Sequence, residues 1–402
     1  MFVIMSPLSK QGVQTFYEHC KDLGLESRIL RIYIDLQNIA VGKYYNSNIL
    51  EIYTKLTERE VVSMVVYEIL KFVSDKINLF RNVFNHNEIY FYLYTDKQRN
   101  KLNEYFIETW KENRRKSWEY LREHKIEEYE SQQWFSQVFS KSVDIACKIL
   151  STSLHSYPVI LKYVDSDFLP YVFILYDKLC NVDSTHLIVS NDHDYIHILS
   201  EFPNVFRYFF LTKNKGVTVE NHYTIFKRLK NKFPQKTLDV YDHQFIAKFY
   251  QLFHAFLGDP GDGFGPIKPK YGIVRFLKDV KKEISLDNDI NDIRKKVLTK
   301  SLNLNLSDTE LDMLVQRLLV VDFRFFSEHL LKDFVPFEKL MYVEDTKQYF
   351  QSLERKHILE SNANILRDSM FNKNILQRHD INSILKDLNV KNPDYISQSL
   401  WY

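Results

Sequence analysis

Five short apolar segments, RIYIDLQNIA, EIYFYLYTD, PVILKYVDSD, THLIVSNDHDY and FRYFFLTKN, alternate with helix-like stretches through the first half of the chain. Strands of this kind, separated by helical connections, pack as a mainly parallel sheet covered by helices, an α/β architecture. Four of the five carry aspartate at or just past the C-terminal end: Asp35, Asp96, the pair Asp165 and Asp167, and the pair Asp192 and Asp194. That edge is where open α/β sheets bind ligands. With 402 residues, 45% of them hydrophobic and 15% aromatic, the chain can bury a full core in about two or three folding units.

A second constraint lies downstream. Five of the nine glycines and three of the ten prolines fall between Gly258 and Gly272, in GDPGDGFGPIKPKYG. Backbone freedom concentrated in a chain so poor in glycine marks a loop whose main chain approaches something closely. The loop lies between two helix-like runs, DHQFIAKFYQLFHAFL and YGIVRFLKDVKKEI, an arrangement suited to holding a nucleic-acid backbone through main-chain N–H groups. Asp259 and Asp262 sit inside it. Taken alone, Asp35 and Asp96 read first as turn or capping residues and DSD as a helix N-terminus, while SNDHD reads equally as a solvated turn or a metal site. Their shared placement at strand ends and in one loop instead fits a site for hard, oxygen-seeking cations, because gathered like charges repel unless a cation holds them together.

Between Asp96 and Pro158 runs a charged, aromatic stretch with few helix breakers, too long for an ordinary connection, which predicts a projecting helical insert at about 97–157. Net charge is only +2, but positive charge is unevenly placed. Lys97 to Lys116 holds seven basic and three acidic residues, Arg207 to Lys236 eight and one, and Lys268 to Lys282 six and one. Within WKENRRK, Arg114, Arg115 and Lys116 cover more than one helix face, as phosphate contacts require, although Glu/Lys pairing on a solvated face is the ordinary explanation. Past residue 300 the pattern is amphipathic helix, with Ser307 and Glu310 spaced as a capping box. Three cysteines, Cys20, Cys147 and Cys180, show no CxxC pair, which indicates neither a disulfide framework nor a zinc site. No apolar run approaches a bilayer span and the N-terminus lacks a signal-peptide pattern, so a soluble intracellular protein is expected, with no membrane partner.

In this order the motifs resemble the 5′-nuclease superfamily of flap endonucleases, polymerase-associated 5′-to-3′ exonucleases and the phage 5′-nucleases called ribonuclease H. Asp35 resembles the first family aspartate, and YTD with WKENRR the second aspartate and a YKxxR-like element. DSD resembles the ExDD motif, SNDHD the SxDxD motif and GDPGD the GDxxDN entry of a helix-hairpin-helix. The match spans about residues 30 to 282. Asp165 stands in place of Glu and Phe168 in place of the last ExDD acid, and the hairpin lacks a GIG element.

The resemblance implies a PIN-like nuclease domain over 1–238 with a helical arch, a helix-hairpin-helix region over 239–300 and a helical C-terminal region over 301–402. It implies that Asp35, Asp96, Asp165, Asp167, Asp192, Asp194, Asp259 and Asp262 supply ligands for two divalent cations, Mg²⁺ first and Mn²⁺ as the alternative. Lys111 with Arg114 or Arg115 would hold the scissile phosphate. Gly261, Gly263, Gly265, Lys268, Lys270 and Arg275 would face DNA, with K⁺ at the hairpin. The implied activity is 5′-to-3′ exonuclease or flap endonuclease cleavage of DNA or RNA–DNA hybrids by a monomer, in primer or flap removal alongside replication proteins. The residue composition would fit a viral, AT-rich genome. The rival readings are a weakened nuclease-like protein that binds branched nucleic acid or a replication or transcription partner, and a PIN-type ribonuclease acting on single-stranded RNA.

Overall fold

The computed structural model describes residues 27–38, 56–83, 88–96, 111–150, 156–161, 169–179, 181–192, 194–210, 217–222, 224, 225, 229, 238–259 and 262–323, with 18 and 21 as isolated positions. Six strands, β1 (Ile29–Asp35), β2 (Glu88–Asp96), β3 (Ser156–Leu161), β4 (Ser184–Val189), β5 (Val205–Phe210) and β6 (Val217–Asn221), form one sheet in the order β3-β2-β1-β4-β5-β6. The first five are mutually parallel, as the alternation predicts, and β6 runs antiparallel to β5. The sequence reading did not anticipate β6, whose VTVEN is short and half polar. From β1 the chain winds outward to β2 and β3, then returns to place β4 on the other side of β1. The strand order therefore reverses between β1 and β4, where such sheets open a crevice.

Strand alternation sorts the two faces. Ile32 and Ile34 of β1, Phe91 and Leu93 of β2, and Leu187 and Val189 of β4 pair in register and share one core with helices α1 (Glu58–Val83) and α3 (Ile126–Leu150). Tyr33, Tyr92, Tyr94 and Ile188 face the opposite core. There Tyr33 stacks on Tyr92 at 5.2 Å, and Phe173 of α4 (Leu169–Leu179) closes over Tyr92 at 4.4 Å. Beneath this aromatic layer Arg31 forms a two-pronged pair with Asp177 at 2.6 and 2.9 Å, the geometry that makes a buried guanidinium tolerable.

The same second core takes in α5 (Ile196–Glu201), α6 (Val240–Lys248), α7 (Tyr250–Leu257), α8 (Gly272–Glu283), α9 (Ile290–Leu298) and α10 (Asp308–Val321), so it crosses the expected boundary at 238/239. A buried charge cluster reinforces the junction: Arg294 of α9 reaches Glu201 at the end of α5 at 2.8 Å and Asp322 after α10 at 2.6 Å. The Ser307–Glu310 capping box is present, and a second one, Asp239 with Asp242, starts α6. The helix expected through AFL is broken at Phe249, whose ring is buried against Phe245 at 4.9 Å and whose backbone leaves helical geometry.

The insert divides as well. α2 (Glu112–His124) has no buried residue and ends at Lys125, whereas α3 is buried from Val138 onward. Among the described residues of the insert, α2 and the first half of α3 hold no buried residue while the second half of α3 is core, a correction to an insert projecting over all of 97–157. Among the described residues, no helix is long and apolar enough to cross a membrane. Cys147 is buried and in no disulfide, and Cys20 and Cys180 lie outside the described residues.

Candidate functional site

At the C-terminal edge of the sheet the turn after β4 is tied to the end of β1. Asp35, buried at 7% exposure, accepts the Asn38 N–H through Oδ1 at 2.9 Å and the Ser190 hydroxyl through Oδ2 at 3.1 Å. Ser190 Oγ in turn accepts the Asp192 N–H at 3.1 Å, Asn38 Oδ1 accepts the Asn191 N–H at 3.2 Å, and Asp192 Oδ1 accepts the Asp194 N–H at 3.0 Å. The Asp192 carbonyl accepts from Arg207 Nη1 of β5. Side chains of five residues thus fix a turn that presents the half-buried Asp192 and Asp194 at the switch point.

The glycine-rich loop arrives from the other side. Gly258 has φ +76°, and a Cβ there would stand 2.5 Å from the carbonyl oxygens of both Phe264 and Gly265. The close approach expected from the sequence is therefore, at this glycine, the loop against itself. Phe264 N–H and Asp262 N–H both bond the Asp259 carbonyl, at 3.2 and 3.1 Å, which curls both carboxylates into one turn. Arg317 of α10 holds the Gly265 carbonyl at 2.5 Å and lies over the Phe264 ring. Gly258→Ala is expected to cost more than about 1 kcal/mol of stability, since positive φ and a backbone clash act together. A urea titration of wild type and variant measures it.

The start of α2 docks onto this loop. Lys111 adopts left-handed geometry, φ 54°, and its N–H bonds the Asp262 carbonyl at 2.6 Å. Charge then accumulates. Burial pushes the Asp194 carboxyl well above the ordinary aspartate range, Asp192, Asp262 and Asp259 push it further, and Lys111 pulls it back. Asp262 is raised by burial and by Asp259, against the pull of Lys111, Arg114 and His254. His254, buried on α7, places Nε2 3.5 Å from Asp259 Oδ2 and Nδ1 3.0 Å from His197 Nε2.

The structure thus brings Asp192, Asp194, Asp259, Asp262, Lys111 and Arg114 into one electrostatic neighbourhood, with Asp35 joined through Ser190. Asp96 ends β2, one strand over from Asp35; its side chain, and all of Asp165, Asp167, Phe168 and Gly261, lie outside the described residues. Arg115 is half-buried and acts on Glu112, and Lys116 pairs with Glu112 at 2.8 Å, the ordinary helix-face arrangement. Gly263 has φ 86°; Gly265, Lys270 and Arg275 are exposed. Lys268 turns toward the protein: its ammonium donates to the Asn305 carbonyl at 2.9 Å, stands 3.6 Å from Glu310 and lies over Tyr271. Arg207, counted in a basic run, is fully buried beside Glu220 and against the turn that carries Asp192. Ser190 opens the SNDHD motif singled out in the sequence; the sequence reading missed Asn38, His254, Arg207 and Glu220 as partners of the site. Arg207 alone carried a usable signal: one arginine inside the apolar strand VFRYFF implies a buried partner.

The sequence matches no family model and none of the curated proteins. Among solved structures, it is similar to a bacteriophage T5 D15 flap endonuclease in complex with DNA and metal ions, at 14% identity and TM-score 0.49, over 81% of this chain and 99% of that one. The T5 5′-exonuclease with bound zinc gives the same figures. The T5 D15 protein co-crystallised with metal ions gives 14% identity and TM-score 0.47, over 80% and 98%.

As the side chains stand, no group of three or more His, Cys, Asp or Glu among the described residues converges to hold an ion. The donor chemistry nevertheless fits a hard divalent cation: Asp192, Asp262 and Asp259 all act on Asp194 as like charges, and such repulsion is relieved by a cation with oxygen ligands.

Proposed function

We propose that this chain is a divalent-metal-dependent nuclease that hydrolyses phosphodiesters at or near 5′ ends of DNA or RNA–DNA hybrids, as in primer or flap removal. The observation that carries the reading is the concentration of Asp192, Asp194, Asp259 and Asp262 beside Lys111 and Arg114, at the point where strand order reverses. Asp35, Asp192, Asp194, Asp259 and Asp262 would hold Mg²⁺, together with Asp96, Asp165 and Asp167. The chemistry such ions supply is activation of water and stabilisation of charge on the leaving oxygen. Lys111 and Arg114 carry charge of the sign that binds a phosphate, and their position beside the carboxylates suits holding the scissile group against them. The 5′ preference rests on the order of the motifs from Asp35 to GDPGD.

The test is to incubate purified protein with 5′-labelled flap, nicked, hybrid and single-stranded substrates, with and without Mg²⁺. Metal-dependent cleavage near the 5′ ends is expected; absence of cleavage of every substrate with Mg²⁺ or Mn²⁺ would sink the reading. Within it, exposed Lys270 and Arg275 fit duplex contact better than Lys268 does. Alanine at both is expected to weaken duplex binding and make its salt dependence shallower, by about one counterion for each phosphate that is no longer neutralised. Lys268→Ala is expected instead to lower the melting temperature, because it releases Asn305 and Glu310. A salt titration of the two proteins, with a melt of each, separates the roles.

A further inference from the structure

Arg207 and Glu220 occupy a place that the catalytic reading does not use. They are directly opposed partners in the antiparallel β5–β6 register, 0% and 5% exposed, with Nη2 and Oε2 2.9 Å apart. Taking two charges out of water is costly, and an apolar pair would serve packing alone at least as well. What an apolar pair does not supply is a donor for the Asp192 carbonyl, to which Arg207 Nη1 donates. That carbonyl belongs to the residue whose side chain caps the Asp194 N–H at 3.0 Å. The ion pair therefore grips the main chain of the turn carrying two carboxylates. β6, the one antiparallel strand among the described residues, brings Glu220 opposite the guanidinium.

We propose that the Arg207–Glu220 pair is a positioning device for the Asp192–Asp194 turn, holding it in metal-binding geometry without touching metal or substrate. The metal part rests on the nuclease reading; the grip on the turn does not. Glu220 balances the charge of the guanidinium from 2.9 Å, and Arg207 spans from β5 to the main chain of the turn that carries Asp192 and Asp194. Removal of a group that orients a ligand typically costs about ten- to a hundredfold in metal affinity.

The test uses the full chain with Arg207→Lys, which lacks the planar fork needed to serve Glu220 and the carbonyl together. A second protein, Arg207→Met with Glu220→Leu, removes the pair without leaving a lone buried charge. Amide hydrogen exchange, Mn²⁺-induced melting shift and duplex affinity without metal are measured for each. The expected result is faster exchange confined to Asn191–Asp194, about ten- to a hundredfold more Mn²⁺ for half the wild-type shift, and unchanged duplex affinity. Unchanged exchange in the turn, exchange raised evenly across the sheet, or failure of both proteins to fold overturns the proposal. If wild type shows no metal-induced shift at all, the nuclease reading fails, and exchange in the turn still decides the positioning claim.

Discussion

Asp194→Asn is expected to abolish most cleavage and, in the absence of metal, to raise the melting temperature. Both effects have one cause. The carboxyl is held above its ordinary range by burial and by Asp192, Asp262 and Asp259, so its ionised form is costly unless a cation is present. Because its folded-state pKa is raised, the native protein keeps a proton there that the unfolded chain has already released. Stability contributed by this group is present at low pH and is lost as pH rises from the ordinary aspartate range through the raised value. The Asn variant does not ionise. Its metal-free melt should therefore exceed that of wild type by a margin that grows with pH across that window. Mg²⁺ should narrow the gap by stabilising wild type more than the variant. Cleavage should fall by about two orders of magnitude or more, since losing a ligand outweighs losing the group that orients one. Asp192→Asn should lose cleavage similarly and gain less in the melt, because it removes only one of the charges acting on Asp194. Near-normal turnover in both purified variants would exclude the ligand assignment. A lower metal-free melt for Asp194→Asn would exclude the repulsion account.

What the sequence made legible follows from locality. Runs such as ILRIYID and STHLIV declare strands because both faces are buried, and Asp35 and Asp192 declare strand ends because a carboxylate closes each run. The Ser307–Glu310 box is legible for the same reason: its two partners lie within one turn. Contacts between distant segments are not written locally. Lys268 reads as a cation beside a glycine-rich loop, and only the packing of α10 shows its ammonium on Asn305 and near Glu310. Arg207 counts toward a basic run until its register with Glu220 turns it inward. The break at Phe249, whose ring packs on Phe245, is recorded by neither periodicity nor propensity. WKENRRK shows the limit most clearly: three consecutive cations look alike in sequence, while in the fold the charge of Arg114 acts on Asp262, that of Arg115 acts on Glu112, and Lys116 joins a helix-face pair.

That division makes Lys111 and Arg114 the sharper test of catalysis. Lys111 stands in the left-handed region at φ 54°, where a residue with a Cβ carries strain on the order of 1–3 kcal/mol and glycine carries little. Lys111→Gly therefore removes the charge while relieving the backbone, and its N–H can still bond the Asp262 carbonyl. If Lys111 and Arg114 stabilise charge that develops on the phosphate, Lys111→Gly with Arg114→Ala should lower single-turnover cleavage at saturating DNA and Mg²⁺ by about a hundredfold or more, the scale of losing an electrostatic donor in a preorganised site. The melt should stay level or rise. Arg115→Ala with Lys116→Ala is the matched control, because it removes the same charge from the same turn of α2 at positions that serve Glu112. Its rate should stay within about twofold of wild type; the stability change at exposed Lys116 should stay within about 0.5 kcal/mol, and the melt reads the larger cost expected at half-buried Arg115. Equal losses from both double variants would mean that α2 contributes only general positive charge. A wild-type rate in Lys111→Gly with Arg114→Ala would leave the carboxylates without a cationic partner in the insert, and the search for the phosphate-holding group would move to the loop between Gly263 and Arg275.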